Sequence, residues 1–424
     1  MNRQEERYRL YTGILTDELR PAMGCTEPIA IAYAAAKARD VLGALPSSLL
    51  VEVSGNIIKN VKSVVVPHTG GLRGIAAAAA AGVIAGRTDA ELEVLSAAET
   101  SGAGRIEAYL RDTPITVGKC ESGNIFDVCV TARSGEDSSF VRITGYHTNI
   151  VTVRKNGVTL LEKETAQETS DPVDRGFMTI EGIIDFADSV DTEDVREVLE
   201  RQIEYNMEIA REGLRSDYGA NIGKTLLRMG ENDIGYKMRA YAAAASDARM
   251  NGCEKPVIIN SGSGNQGITA SVPVIVYAQY NGNTREELLR ALCVSNLVTI
   301  HLKTGIGRLS AYCGAVSAGC GAGAGIAYLQ GGRFDTIAHT VVNSLAVTSG
   351  IVCDGAKASC AAKIAAAIDA GLLGLNMYKN GNQFYGGDGI IKKGVENTIA
   401  TIGRLARNGM EETDKEIIRL MMET

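Results

Sequence analysis

No Cys-x-x-Cys spacing occurs anywhere in this chain of 424 residues, although it carries nine cysteines. That argues against zinc ribbons and thioredoxin-like redox pairs. A basic surplus is missing too: 43 lysines and arginines face 50 acids, a net charge of −7. A general nucleic-acid binder needs a positive field, so none is expected here. The opening stretch "MNRQEERYRLYTG" has no apolar core of the secretory kind. With an odd cysteine count, it fits a reducing cytoplasm better than a disulfide scaffold. Large aliphatics are scarce in the two long uncharged runs, 309–332 and 336–353. Their length suits a membrane span. Small residues and hydroxyls dominate them, however, so they read as helices buried in a large fold, and no membrane partner is expected. A repeat of solenoid period is also absent.

What is present fits two or three packed cores: 45% hydrophobic and 22% charged residues. The expected fold class is α+β, a mainly helical Gly/Ala-rich domain with a small antiparallel β subdomain. Residues 1–110 form the N-terminal helical part of the main domain. Here 4–20 is amphipathic, Glu27-Pro28 opens a helix, and "GIAAAAAAGVIAG" packs as another. "LLVEVSG" and "VKSVVVP" read as short strands. Residues 111–175 alternate with period two, and Asn156-Gly157 marks a hairpin. A charged linker, "EKETAQETSDPVDRG", leads out. Residues 176–424 are again mainly helical, with a long charged surface helix near 192–213 and a short buried strand, "KPVIIN".

"GSGNQG" at 262–267 matches GxGxxG, but the flanking pattern is not a dinucleotide-binding βαβ unit. Exposed N–H groups of Gly264, Asn265, Gln266 and Gly267 at a helix entrance would instead cradle a small anion, such as a substrate carboxylate. Cys313 and Cys320 lie seven apart, as do Cys353 and Cys360. On a continuous helix each pair would be separated by two turns, about 10 Å, so only one of each pair is expected to reach a shared cluster. Cys120, Cys129, Cys253 and Cys293 read as core filler. Cys25, Cys313 and Cys353 stand beside glycine or Asp-Gly, where a bulky group can approach. Three such thiolates could hold an iron–sulfur cluster. His68 and His147 end β runs at turns, where polar site residues often lie. His301 and His339 sit in helical stretches. Lys357 and Lys303 lie on Gly/Ala-rich segments, where a lysine can serve as a base.

"PAMGCTEP", "VVVPHTGG", "SGSGNQGITASVPV", "AYCGAVSAGCGAGAG" and "CDGAKASCAAKI" together resemble the L-cysteine desulfidase family, itself related to the α-chain part of the iron–sulfur L-serine dehydratases. The resemblance runs from residue 21 to about 365. It implies a 4Fe-4S cluster on Cys25, Cys313 and Cys353, no pyridoxal phosphate, and breakdown of L-cysteine to sulfide, ammonia and pyruvate. "GYHTNIV" is similar to a histidine segment near the substrate in the dehydratases. The C-terminal cysteine of those enzymes has no counterpart in "RLMMET". The expected catalytic residues are His147 and Lys357. Thr69, Asn149, Gly264, Asn265 and Gln266 are expected to bind a small amino-acid substrate. An L-serine dehydratase on the same cluster and a non-catalytic iron–sulfur sensor remain as alternatives. No residue pattern speaks to assembly; a homodimer is the working expectation.

Overall fold

A computed structural model describes residues 1–96, 102–163, 175–307 and 309–423. The chain opens with helix α1 (Glu6–Glu18), strand β1 (Pro21–Met23) and helix α2 (Thr26–Leu42), which Gly43 ends in the left-handed region at φ 82°. Strand β2 (Ser48–Val53) and helices α3 (Gly55–Val61), α4 (Gly74–Ala85) and α5 (Ala103–Asp112) follow. Five strands come next: β3 (Ile115–Lys119), β4 (Asp127–Ser134), β5 (Asp137–Thr144), β6 (Ile150–Lys155) and β7 (Val158–Glu162). With β2 they form a six-stranded sheet in the order β3-β2-β4-β5-β6-β7. The β6–β7 hairpin turns at Asn156 and Gly157, both at positive φ (49° and 79°), as a type I′ turn requires.

Two features of this half differ from the expectation. The sheet takes its second strand, β2, from the first hundred residues, and β2 pairs with β3 in parallel. The helices between those two strands supply the long crossover that a parallel pair needs. "VKSVVVP" is not a strand: Val65 makes an isolated bridge to Arg73. Helix α2 lies across β4 and β5 and against α4, and these elements bury one continuous apolar cluster from Ile29 to Val153. The charged linker expected near 162–176 falls largely outside the described residues.

The second half contains α6 (Ile180–Ser189), α7 (Glu193–Arg215), α8 (Ile222–Met229), α9 (Ile234–Met250), β8 (Pro256–Ile258), α10 (Gly264–Asn281), α11 (Arg285–Ile306), α12 (Gly314–Leu329), α13 (Phe334–Thr348), α14 (Cys360–Lys379), α15 (Val395–Arg404) and α16 (Glu411–Met422). Local signals fix several starts. Thr284 and Glu287 form a capping box on α11, and Asp233 accepts from the Tyr236 N–H at the start of α9. Helix α10 runs through Pro273 without a break.

The long uncharged runs became α12 and α13. The small residues of α12 let backbones touch. A Cβ on Gly319 would stand 2.4 Å from the Ala367 carbonyl of α14, and one on Gly321 would stand 2.5 Å from the Ser295 carbonyl of α11. Among the described residues only Cys360–Lys379 is long and apolar enough to cross a membrane, and half of it is buried inside the fold. This half packs into a second apolar cluster that also takes in Tyr8, Tyr11, Ile14 and Leu15 of α1. A small third cluster holds Cys25, Val64 and Met250, with Ala356 and Cys360 against it. The architecture is α+β, a helical body carrying one mixed sheet.

Candidate iron–sulfur and amino-acid site

Two short antiparallel pairings assemble the site from distant segments. The first is β1 with β8, in the register Pro21↔Ile258 and Met23↔Pro256. It sets Cys25, two residues past β1, beside the entrance of α10. Thr26 Oγ1 donates to the Gly262 carbonyl at 3.1 Å across this junction. Gly24 (φ 56°) makes the turn out of β1. It stands so close to Pro67 that a Cβ there would come within 2.5 Å of the ring.

The second pairing is the bridge between Tyr312 and Val352. Its flanking bonds run from the Cys313 N–H to the Ile351 carbonyl (3.1 Å) and from the Cys353 N–H to the Ala311 carbonyl (2.6 Å). Cys313 and Cys353 are thereby held side by side. Cys25, Cys313, Cys353 and Cys360 all line a single cavity of about 110 Å³.

Cys313 caps the start of α12, whereas Cys320 is buried within that helix. Of the 313/320 pair only Cys313 lines the cavity, whereas both Cys353 and Cys360 do. Residues 353–359 are irregular rather than helical. The spacing of seven does not carry Cys360 two turns away, and its thiol joins the cavity. Gly355 (φ 90°) lets this loop press onto α3, since a Cβ there would lie 2.2 Å from the Lys59 carbonyl. Soft sulfur donors around a pocket where Gly314, Ala315, Gly355 and Ala356 leave room beside the thiols suit an iron–sulfur group.

Burial and the nearby Cys353 thiol push Cys313 up to about 12. Burial and Glu27 push Cys25 well up, against the pull of Arg249. Cys360 is raised mainly by burial. In the absence of a cation these groups stay protonated thiols, and a bound metal would displace their protons.

Glu27, which the sequence reading treated only as part of a helix start, lies on the cavity wall. Its carboxylate accepts from the Cys25 thiol (2.9 Å), the Thr26 hydroxyl (3.1 Å) and the Asn60 amide (3.0 Å). His147 Nε2 stands 3.9 Å from its Oε1, within ion-pair range. Burial alone would raise this carboxyl, but His147 and the Cys25 thiol outweigh it and hold it down at about 2. The turn between β5 and β6 thus sets His147 behind Glu27; like Lys357 it is not itself on the cavity wall, and its ring stands edge-on to Phe126 at 4.7 Å.

The remaining expected residues divide. Asn265 and Gln266 line the cavity at the entrance of α10, and Gly264 lies beside them against Arg249. Lys357 is not on the cavity wall; its ammonium is paired with Asp354. Thr69 donates to the Val66 carbonyl at 2.7 Å, and the Asn149 amide to the Thr144 carbonyl at 2.9 Å. Both are turn-forming residues outside the lining. His68 pairs with Glu254 at 3.2 Å, His301 with Glu396 at 2.7 Å, and His339 stacks on Tyr378. Lys303 does line the cavity.

Among the described residues, Cys120, Asp127 and Cys129 form a compact group able to hold an ion. They lie apart from this cavity. Arg142 already grips both oxygens of Asp127, at 2.9 and 2.6 Å.

Residues 127–419 match the family described as serine dehydratase alpha chain. Three of the relatives found are UPF0597 proteins. That of Desulfitobacterium hafniense (strain Y51) is 58% identical over 423 residues, covering 100% of this chain and 98% of its own. That of Lachnoclostridium phytofermentans is 50% identical, covering 98% and 100%. That of Treponema denticola is 45% identical, covering 100% of both. With a profile match over more than half its length and relatives of this identity along all of it, the chain belongs to the serine dehydratase alpha-chain family, together with the UPF0597 proteins.

Proposed function

We propose that this protein is an iron–sulfur lyase that removes a β-substituent from a small L-amino acid, with L-cysteine as substrate and sulfide, ammonia and pyruvate as products. The observation that carries this reading is the convergence of four thiols, from three separate segments, on one cavity. Cys25, Cys313 and Cys353 would hold a 4Fe-4S cluster, with Cys360 as the adjacent fourth sulfur. When bound, the cluster supplies a Lewis acid that withdraws charge from the substrate's sulfur and makes it a better leaving group.

The chain's own groups do the rest. The N-terminal amides of α10 and the side chains of Asn265 and Gln266 face the cavity and hold the amino acid's polar end. Of the two candidate bases, the geometry favours His147. Its imidazole pairs with Glu27, which reaches the cavity wall, whereas Lys357 is tied to Asp354. The α-proton leaves toward the Glu27–His147 pair, the Cβ–S bond breaks, and the sulfur departs with the bonding electrons. The aminoacrylate released takes up water to give pyruvate and ammonia.

A dehydratase acting on L-serine is the second reading, favoured by the family match. Anaerobically reconstituted protein supplied with each amino acid separates the two. Sulfide and pyruvate from L-cysteine support the desulfidase. Pyruvate from L-serine alone overturns it. Cys25→Ala, Cys313→Ala and Cys353→Ala should each lose iron and activity, while Cys320→Ala keeps both. If Cys360→Ala loses the cluster and Cys25→Ala keeps it, the third ligand is Cys360.

A further inference from the structure

Arg249, at the end of α9, is 3% exposed and lines the cavity. Its Nε is buried without a hydrogen-bond partner, and its Nη1 donates weakly to the Met250 sulfur, at 3.9 Å. Among the described residues no carboxylate pairs with it. A guanidinium withdrawn from water and left without an anion is costly, and the usual compensation is a bound one. Gly264 makes room for it: a Cβ there would come 2.3 Å from the Arg249 Nε.

Gly264 is also the first residue of α10. The N–H groups of Gly264, Asn265 and Gln266 precede that helix's first bond, from the Gly267 N–H to the Ser263 carbonyl. Guanidinium and helix entrance therefore meet at one place, and both favour negative charge. Beside them the buried amide oxygens of Asn265 and Gln266 also lack partners, as acceptors for an ammonium would.

Building on the lyase reading, we propose that Arg249 is the residue that selects α-amino acids, binding the substrate carboxylate between its guanidinium and the α10 entrance while Asn265 and Gln266 accept from the α-ammonium.

The test is ligand-observed NMR binding to the reduced, metal-free full chain, using L-alanine and ethylamine, which lacks only the carboxylate. Wild type should bind L-alanine and show no comparable binding of ethylamine. Arg249→Gln should weaken L-alanine by about 100-fold. Arg249→Lys keeps the charge and guards against misfolding, and should fall between. Gly264→Ala, which crowds the guanidinium, should also weaken it. Equal binding of L-alanine by wild type and Arg249→Gln overturns the assignment. So does wild type that binds no L-alanine or does not discriminate.

Reconstituted Arg249→Gln should hold as much acid-labile sulfide as wild type. Loss of cluster with unchanged L-alanine binding would make Arg249 a charge balance for the cluster instead. If Arg249-dependent binding holds but the reconstituted wild type yields neither sulfide nor pyruvate, the lyase reading falls and this assignment stands. The reverse result sinks this assignment alone.

Discussion

Individual buried groups here are set by what surrounds them, and Asp247 shows this outside the cavity. It is buried on α9, with one oxygen accepting from the Gly223 N–H at 2.9 Å and the other unpartnered. Burial outweighs that bond and pushes its carboxyl up from 3.8 to about 6. The folded protein therefore keeps a proton that the unfolded chain has already released. Stability should fall as pH rises from about 4 to about 6 and then level off, a loss of about 3 kcal/mol from this group. Asp247→Asn keeps an acceptor for Gly223 and has no charge to suppress. Denaturant midpoints at pH 4, 5, 6 and 7 should show a shallower decline in the variant and higher stability than wild type at pH 7. The same principle explains which site residues could be read from the chain. Cys25, Cys313 and Cys353 carry their chemistry in their side-chain type and in glycine neighbours. Glu27 and Arg249 do not: the first reads as a helix-start acid, and nothing in the pattern around the second singles it out. Only their burial beside the thiols gives them a role.

At the scale of elements, much of the fold follows from local pattern. Period-two alternation marks β4 to β7, Asn156-Gly157 marks their last hairpin, and "GSGNQG" marks the entrance of α10. The failures came where local pattern was not the deciding force. The β-branched run 64–66 makes only one isolated bridge because it must turn through Pro67 and His68, the latter at φ 58°. A helical spacing from Cys353 would carry Cys360 away, but the loop at 353–359 does not follow it. The glycines of α12 permit close approach, and both its faces use it. Gly321→Ala would place a carbon 2.2 Å from the Thr299 hydroxyl and 2.5 Å from the Ser295 carbonyl. Higher helix propensity cannot compensate for that overlap. A loss of about 1–3 kcal/mol is expected in chemical denaturation. Gly331→Ala, with no atom within 4 Å but a φ of 81°, provides a control for strain without overlap.

For the molecule as a whole, the cavity takes its walls from the first sixty residues and from residue 249 onward. Such a cavity needs ties that span the chain, and α16 supplies one. Asp414 of that helix meets Lys59 of α3 at 2.5 Å, and Ile418 packs at the position where a Cβ on Gly55 would be, 3.1 Å away. The Lys59 side chain is 1% exposed and borders the cavity. Removing Asp414 leaves a buried ammonium without its anion, which costs more than the pair itself contributes. Asp414→Ala should therefore destabilise the chain by about 3–5 kcal/mol. Lys59→Met should cost less, and the double variant should recover much of the loss, because neither charge then remains unpaired. Urea midpoints for the four proteins of this cycle provide the measurement. Additive losses in the double variant would mean that α16 is held by its apolar contacts and not by this ion pair. In that case limited proteolysis should release α16 no faster from Asp414→Ala than from wild type.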